Sequence, residues 1–158
     1  MLKMEFKFQQ IGYIESPFEN PSDAPIQPCF SDAFGTVIVF PEYQQGLKDL
    51  EGFSHIMLLY VFHLSEQTEL EVTPYMTETK KGLFATRSPK RPNKIGISIV
   101  QLVKIEENKL LVKGIDCLNN TPLLDIKPFV PFFDLVNIED CKVGWLTEII
   151  KEKEKSAY

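Results

Sequence analysis

The stretch LFATRSPKRPNKIGIS, residues 83–98, carries Arg87, Lys90, Arg91 and Lys94 together with two prolines and no acid. Pro89 and Pro92 fix their own φ angles and bias Ser88 and Arg91 toward extended backbone, so Lys90 and Arg91 ride on a loop of reduced freedom. A pre-ordered cation loses less entropy when it meets an anion. Arg87 offers a planar fork suited to a carboxylate or phosphate, whereas the lysines are mobile point charges suited to a chain of phosphates. The alternative is a solvated turn whose charges serve solubility. Four cations and two prolines without an intervening anion weigh toward an anion site.

Other chemistry is conspicuous by its absence from the sequence. No G-x-G-x-x-G follows a strand and no G-x-x-x-x-G-K-[ST] occurs, so neither glycine-rich phosphate cradle is present. No G-x-S-x-G elbow supports a serine hydrolase. His55 and His63, eight residues apart on an apolar run, would need distant carboxylates to hold a metal, and no metal is expected. Cys29, Cys117 and Cys141 are odd in number, far apart and lack C-x-x-C spacing, which fits a reduced cytoplasm. What remains is a binding surface made by loops.

The elements that must position such loops are mostly strands. Period-2 patterns and β-branched or aromatic runs recur in FQQIGYIES, FGTVIVF, HIMLLYVFHL, ELEVTPYM, IGISIVQLVKIEE and KLLVKGIDCL, separated by turn material such as PFENPSDAP, SPKRPNK and LNNTP. This predicts a mainly β chain, an antiparallel barrel or sandwich in place of alternating βαβ units. PEYQQGLKDLEGF reads as a short helix, with Pro41 in its first turn and Gly52 as its stop. From Asn137 to Lys155 apolar residues recur at helical spacing, predicting a C-terminal helix over about 138–154 that Asn137 or Asp140 caps.

At 158 residues, 44% hydrophobic and 25% charged, the chain is expected to form one domain over 1–158 with a single core. The N-terminus MLKMEFKFQQIGYIESPF never builds the apolar run of a signal peptide, and no segment approaches a membrane span of about 20 apolar residues, so no membrane partner is expected. A net charge of −5 argues against indiscriminate nucleic-acid binding but leaves room for a focused basic patch.

FATRSPKRPNKIGIS resembles the A-T-R-S-x-x-R-P-N-x-I-G signature of the tRNA methyltransferase O family, also described as YaeB-like. The likeness extends in order to IGYIESPF at 11–18, PIQP at 25–28, LEGFSHIMLLYVFH at 50–63 and LNNTPLLDIKPFVPF at 118–132. It implies a small antiparallel β-barrel over about 5–136 that binds S-adenosylmethionine (AdoMet) and methylates N6 of the threonylcarbamoyl-adenosine beside the tRNA anticodon. It also implies a homodimer with the cofactor near the subunit interface. The basic loop of Arg87, Lys90, Arg91 and Lys94 would then engage an anticodon stem-loop.

The same resemblance assigns roles. Gln27, Pro28 and Cys29 would line the cofactor pocket, Gln27 through its amide; without the resemblance PIQPC reads as a surface turn. His63 and Leu64 match a further cofactor contact, with a backbone-satisfied core histidine as the alternative for His63. Arg87 would clamp the cofactor carboxylate, a phosphate or the threonyl carboxylate. Ile97 belongs to the cofactor set. Asp116, Cys117, Leu118 and Asn119 correspond to a cofactor-contacting turn, where the Asp116 carboxylate would offset the sulfonium charge. Asp116 and His63 are the candidate proton acceptors for the attacking nitrogen. Asp125 and Lys127 are expected to form a structural ion pair, and His55 a structural contact.

Departures from the family pattern bear on these roles. Asn119 and Asn120 stand where many relatives have Asp-Gly; asparagine tolerates left-handed backbone, so the turn is expected to survive. Lys94 stands where proline is common. The C-terminal extension of longer bacterial relatives has no counterpart in these residues, which keeps two other readings open: an AdoMet-binding regulatory module, and a methyltransferase acting on a small molecule.

Overall fold

The computed structural model describes residues 2–156, with side chains through residue 152. Six strands close into an antiparallel barrel in the order β1-β2-β7-β6-β3-β8, with β1 Gly12–Glu15, β2 Phe34–Val39, β3 His55–Val61, β6 Ile95–Glu106, β7 Lys109–Lys113 and β8 Thr121–Pro128. Two short strands, β4 Glu71–Val72 and β5 Lys81–Gly82, pair with each other outside the barrel. Closure leaves no barrel strand with an unpaired edge.

Alternation places the core. Along β3, Ile56, Leu58 and Tyr60 point inward, and along β6 Gly96, Ser98, Val100 and Leu102 do the same. With Ile14, Val37, Val39, Leu110, Val112, Ile115 and Leu123 they fill the barrel. Gly96 is required by what lies over it. It pairs with Tyr60 across the sheet, and a Cβ there would sit 2.3 Å from one carbon of the Tyr60 ring.

Several boundaries differ from the sequence expectation. Barrel strands run from Gly12 to Pro128, inside the expected limits of 5–136, and ELEVTPYM contributes only the two paired residues of β4. β8 was absent from the alternating runs: Leu124 is an extra residue at a bulge where Leu59 pairs with Asp125 and Tyr60 with Leu123, and the two adjacent leucines break the period. PEYQQGLKDLEGF forms two 3-10 turns, Pro41–Leu47 and Leu50–Gly52, because Asp49 adopts left-handed backbone (φ 67) between them. The expected helix from 138 begins later. A 3-10 turn at Ile138–Asp140, whose Glu139 N–H is accepted by the Asn137 side chain, is followed by Gly144 at φ 57, and the α-helix runs Thr147–Ser156. One further α-helical turn, Pro131–Asp134, follows β8.

Candidate active site

Antiparallel topology sends three connections to one end of the barrel: 16–33 between β1 and β2, 62–94 between β3 and β6, and 114–120 between β7 and β8. These hold nearly every residue singled out in the sequence. The connections are tied to one another by short side chains that satisfy backbone groups. Ser31 Oγ donates to the Ile115 carbonyl at 2.6 Å, and Ser16 Oγ donates to the Cys117 carbonyl at 2.7 Å. The Asn119 side chain accepts from the Ser16 N–H (3.2 Å) and donates to Glu19 (2.9 Å), while the Asn119 N–H reaches the Phe18 carbonyl. Asn120 takes left-handed backbone at φ 58, so the turn into β8 is kept without glycine.

Three expected residues converge. Arg87 Nη1 donates to the side-chain oxygen of Gln27 at 2.5 Å across 60 positions of sequence, and the Arg87 charge acts on the half-buried carboxylate of Asp116. Asp116 Oδ1 accepts a 2.5 Å hydrogen bond from Ser98 Oγ. Burial dominates and raises the Asp116 pKa to about 6, against the opposing pull of the Ser98 bond, its own backbone N–H and Arg87. At neutral pH the group is mainly ionised, yet close enough to titration to exchange a proton. Beside it, burial and then the Asp116 charge push the Cys117 thiol up to about 12, which keeps it a neutral wall.

The other expected residues take different positions. Pro28 and Cys29 lie in the 3-10 turn Pro28–Phe30 directly after Gln27. Leu118 is half-buried, and its carbonyl accepts from Thr121 Oγ1. His63 and Leu64 are exposed just past the end of β3, and the His63 N–H is held by the Val61 carbonyl. Ile97 is 49% exposed and points outward from β6, on the face opposite Ser98. Asp125 and Lys127 form an ion pair at 2.9 Å on β8, and His55 contacts Ser54 and the edge of Phe129. Among the described residues no group of three or more histidines, cysteines and acids could hold a metal.

The cationic loop is built differently from its appearance in the sequence. Lys90 pairs with Glu69 at 2.6 Å, an acid 21 positions away. Arg91 donates to the Thr86 carbonyl at 2.9 Å and lies over the Phe84 ring. Lys94 reaches the Glu66 carbonyl at 3.4 Å and holds φ 52, a conformation closed to proline. Trp145 straps the loop from outside: its indole N–H donates to the Ala85 carbonyl at 2.8 Å, and Lys81 sits 5.9 Å from its ring centroid. Tyr60 and Ser98 were missed in the sequence. Their signal is a polar residue in the inward register of an otherwise apolar strand.

The loops at one end of this barrel thus gather a guanidinium fork, an amide and a half-buried carboxylate, the donors and acceptors a small charged ligand requires. The model of the tRNA-methyltransferase O N-terminal domain matches residues 13–135. The chain belongs to that family. It is 50% identical over 157 residues to a probable S-adenosyl-L-methionine-binding protein of Pyrococcus abyssi, covering 99% of this chain and 84% of the relative. It is 34% identical over 134 residues to the human tRNA (adenine(37)-N6)-methyltransferase, covering 80% of this chain but 30% of the human protein. A solved TrmO structure superposes with a TM-score of 0.76 at 40% identity, covering 89% of this chain and 64% of that one.

Proposed function

We propose that this chain binds AdoMet at the loop-rich end of the barrel and transfers its methyl group to N6 of the adenosine next to a tRNA anticodon, in its threonylcarbamoylated form. The observation that carries the reading is the convergence of Gln27, Arg87 and Asp116 at one mouth, in a chain of this family. The donor set suits the cofactor: an arginine fork for its carboxylate, a side-chain amide for its polar edge, and a carboxylate for its positive centre. When bound, AdoMet supplies a methyl on a sulfonium that leaves as a neutral thioether.

The protein's part is mainly alignment, which contributes about 7–11 kcal/mol in favourable cases. The exocyclic nitrogen must also shed a proton. Asp116, ionised at neutral pH, and His63, exposed at the same end, are the acceptors within this reading. Leu118, Asn119, Pro28, Cys29 and Leu64 form the walls, and Ile97 meets the cofactor from outside the barrel. Lys90, Arg91 and Lys94 shape the loop that receives RNA while Arg87 faces the cofactor.

A homodimer fits the outer surface. Ile95, Ile97 and Ile99 expose an apolar strip along β6, and Phe132, Phe133, Leu135 and Ile138 extend apolar surface after β8. A partner covering the β6 strip would bring Ile97 to an inter-subunit cofactor site. Three free cysteines fit a reducing cytoplasm. Among the described residues no helix is long and apolar enough to cross a membrane.

The test is incubation of the purified chain with methyl-labelled AdoMet and tRNA, followed by mass spectrometry of the nucleosides. Label on N6 of the threonylcarbamoylated adenosine is expected. AdoMet binding without transfer to tRNA would instead favour a binding module, a reading supported by the protein partners that Lys90, Arg91 and Lys94 already have.

A further inference from the structure

The barrel interior is apolar except toward the loop-rich end, where three polar side chains touch in sequence. Tyr60 and Ser98 are 4% and 1% exposed, and their hydroxyls lie 3.0 Å apart. Ser98 commits its only proton to Asp116 Oδ1, so the phenol of Tyr60 must be the donor in the inner bond. Both protons are therefore donated in the same sense, from the core toward the carboxylate. Burial, and then the Asp116 charge, raise the pKa of Tyr60 well above the ordinary phenol value, which keeps its proton in place. The ring that carries this phenol fits only because residue 96 is glycine: three ring atoms lie within 2.3 to 2.9 Å of where a Cβ would stand.

We propose that Tyr60 and Ser98 are positioning residues, a buried hydroxyl relay that fixes the Asp116 carboxylate toward the bound methyl donor. The proposal rests on the AdoMet reading given above. A half-buried carboxylate without such a tether would turn to water or take up a proton, and either would remove its charge from the place where the ligand is positive. Of the charged and titratable groups on neighbouring elements, Arg87 of the 62–94 connection acts on Asp116, while Tyr60 of β3 and Cys117 beside it feel the Asp116 charge. Of these Arg87 favours ionisation, Tyr60 contributes through Ser98, and Cys117 stays neutral. The Ser98 hydrogen bond is the strongest influence opposing burial at Asp116, so its removal is the sharpest perturbation available.

The experiment follows the Asp116 carboxyl by carbon-13 NMR against pH in the full chain, assigned with Asp116→Asn, alongside AdoMet affinity by calorimetry over the same range. The parent midpoint is expected near 6. Ser98→Ala should raise it by about one pH unit, and Tyr60→Phe, which deletes one oxygen from the same ring, by less. The acid limb of AdoMet binding should move with the carboxyl in each variant, and Ser98→Thr, which restores the hydroxyl, should bring both back. A merely structural role would weaken binding at every pH and leave the midpoint alone. A carboxyl midpoint unmoved in Ser98→Ala, in a chain that binds AdoMet, overturns the relay. Failure of the parent chain to bind AdoMet at any pH overturns the functional reading, and with it the purpose assigned to the relay.

Discussion

The two ends of the barrel are built from the same strands but packed with different chemistry. At the end that carries the 40–54 connection, Leu47 and Leu50 of that connection close the core over Ile56, Leu102 and Ile105 of the strands, and β6 turns into β7 through two residues. At the other end the inward register holds Gly96, Ser98, Tyr60 and Thr121, and the connections are cross-tied by serine and asparagine side chains. The first end is where stability is made. The second holds a carboxylate that burial works against, and the apolar end offsets that cost.

The largest effect expected from this contrast is at the apolar end. Ile56→Ala should cost about 2–5 kcal/mol, read as a lower denaturant midpoint with the same loss at every pH, because only packing is removed. Next comes Asp116→Asn, whose sign is opposite. The folded-state pKa of about 6 lies above the ordinary value of 3.8, so the folded chain binds a proton more tightly than the unfolded one. Stability from this group is full below the unfolded value and is lost as pH rises through about 6. The asparagine variant should therefore unfold about 1–3 kcal/mol later than the parent at neutral pH and show no gain near pH 4. AdoMet binding should fall in the same variant. A loss of stability at neutral pH would dissolve the contrast between the ends. Gly96→Ala should follow at about 1–3 kcal/mol of destabilisation, since the buried Tyr60 ring must shift, and thermal unfolding measures it.

How much of this could be read beforehand follows the same division. Strict alternation made β3 and β6 visible, and with them the barrel, because period 2 along HIMLLYV and IGISIVQL reports one packed face. β8 was hidden by Leu123 and Leu124, whose adjacency is resolved only by a bulge. The helix ends were lost to two positive-φ residues, Asp49 and Gly144, since nothing in local periodicity declares a left-handed turn. At the site, the signature residues Gln27, Arg87 and Asp116 do come together, but their partners Ser98 and Tyr60 sit inside strands where a polar residue looks like an interruption. The cationic loop misled for a different reason. Glu69 and Trp145 lie 21 and 60 positions from the groups they hold, beyond the reach of any local charge count.

That long-range pairing sets the smallest expected effect, and it sharpens the contrast by asking whether the loops of the site end look inward or outward. The Lys90–Glu69 pair is roughly 40% exposed on both sides, so Glu69→Gln should change stability by no more than about 1 kcal/mol. Its consequence for RNA is the informative part. If Lys90 turns to a phosphate when RNA docks, it must first leave Glu69, and the amide removes that competition. The Glu69→Gln chain should then bind tRNA more tightly, with a salt dependence at least as steep as the parent's, while Lys90→Ala should flatten that dependence by about 0.7–0.9 in the log–log slope, the value of one phosphate contact. Equal slopes in all three chains would mean that Lys90 serves the fold of the loop alone, and that any RNA at this mouth is met by other groups.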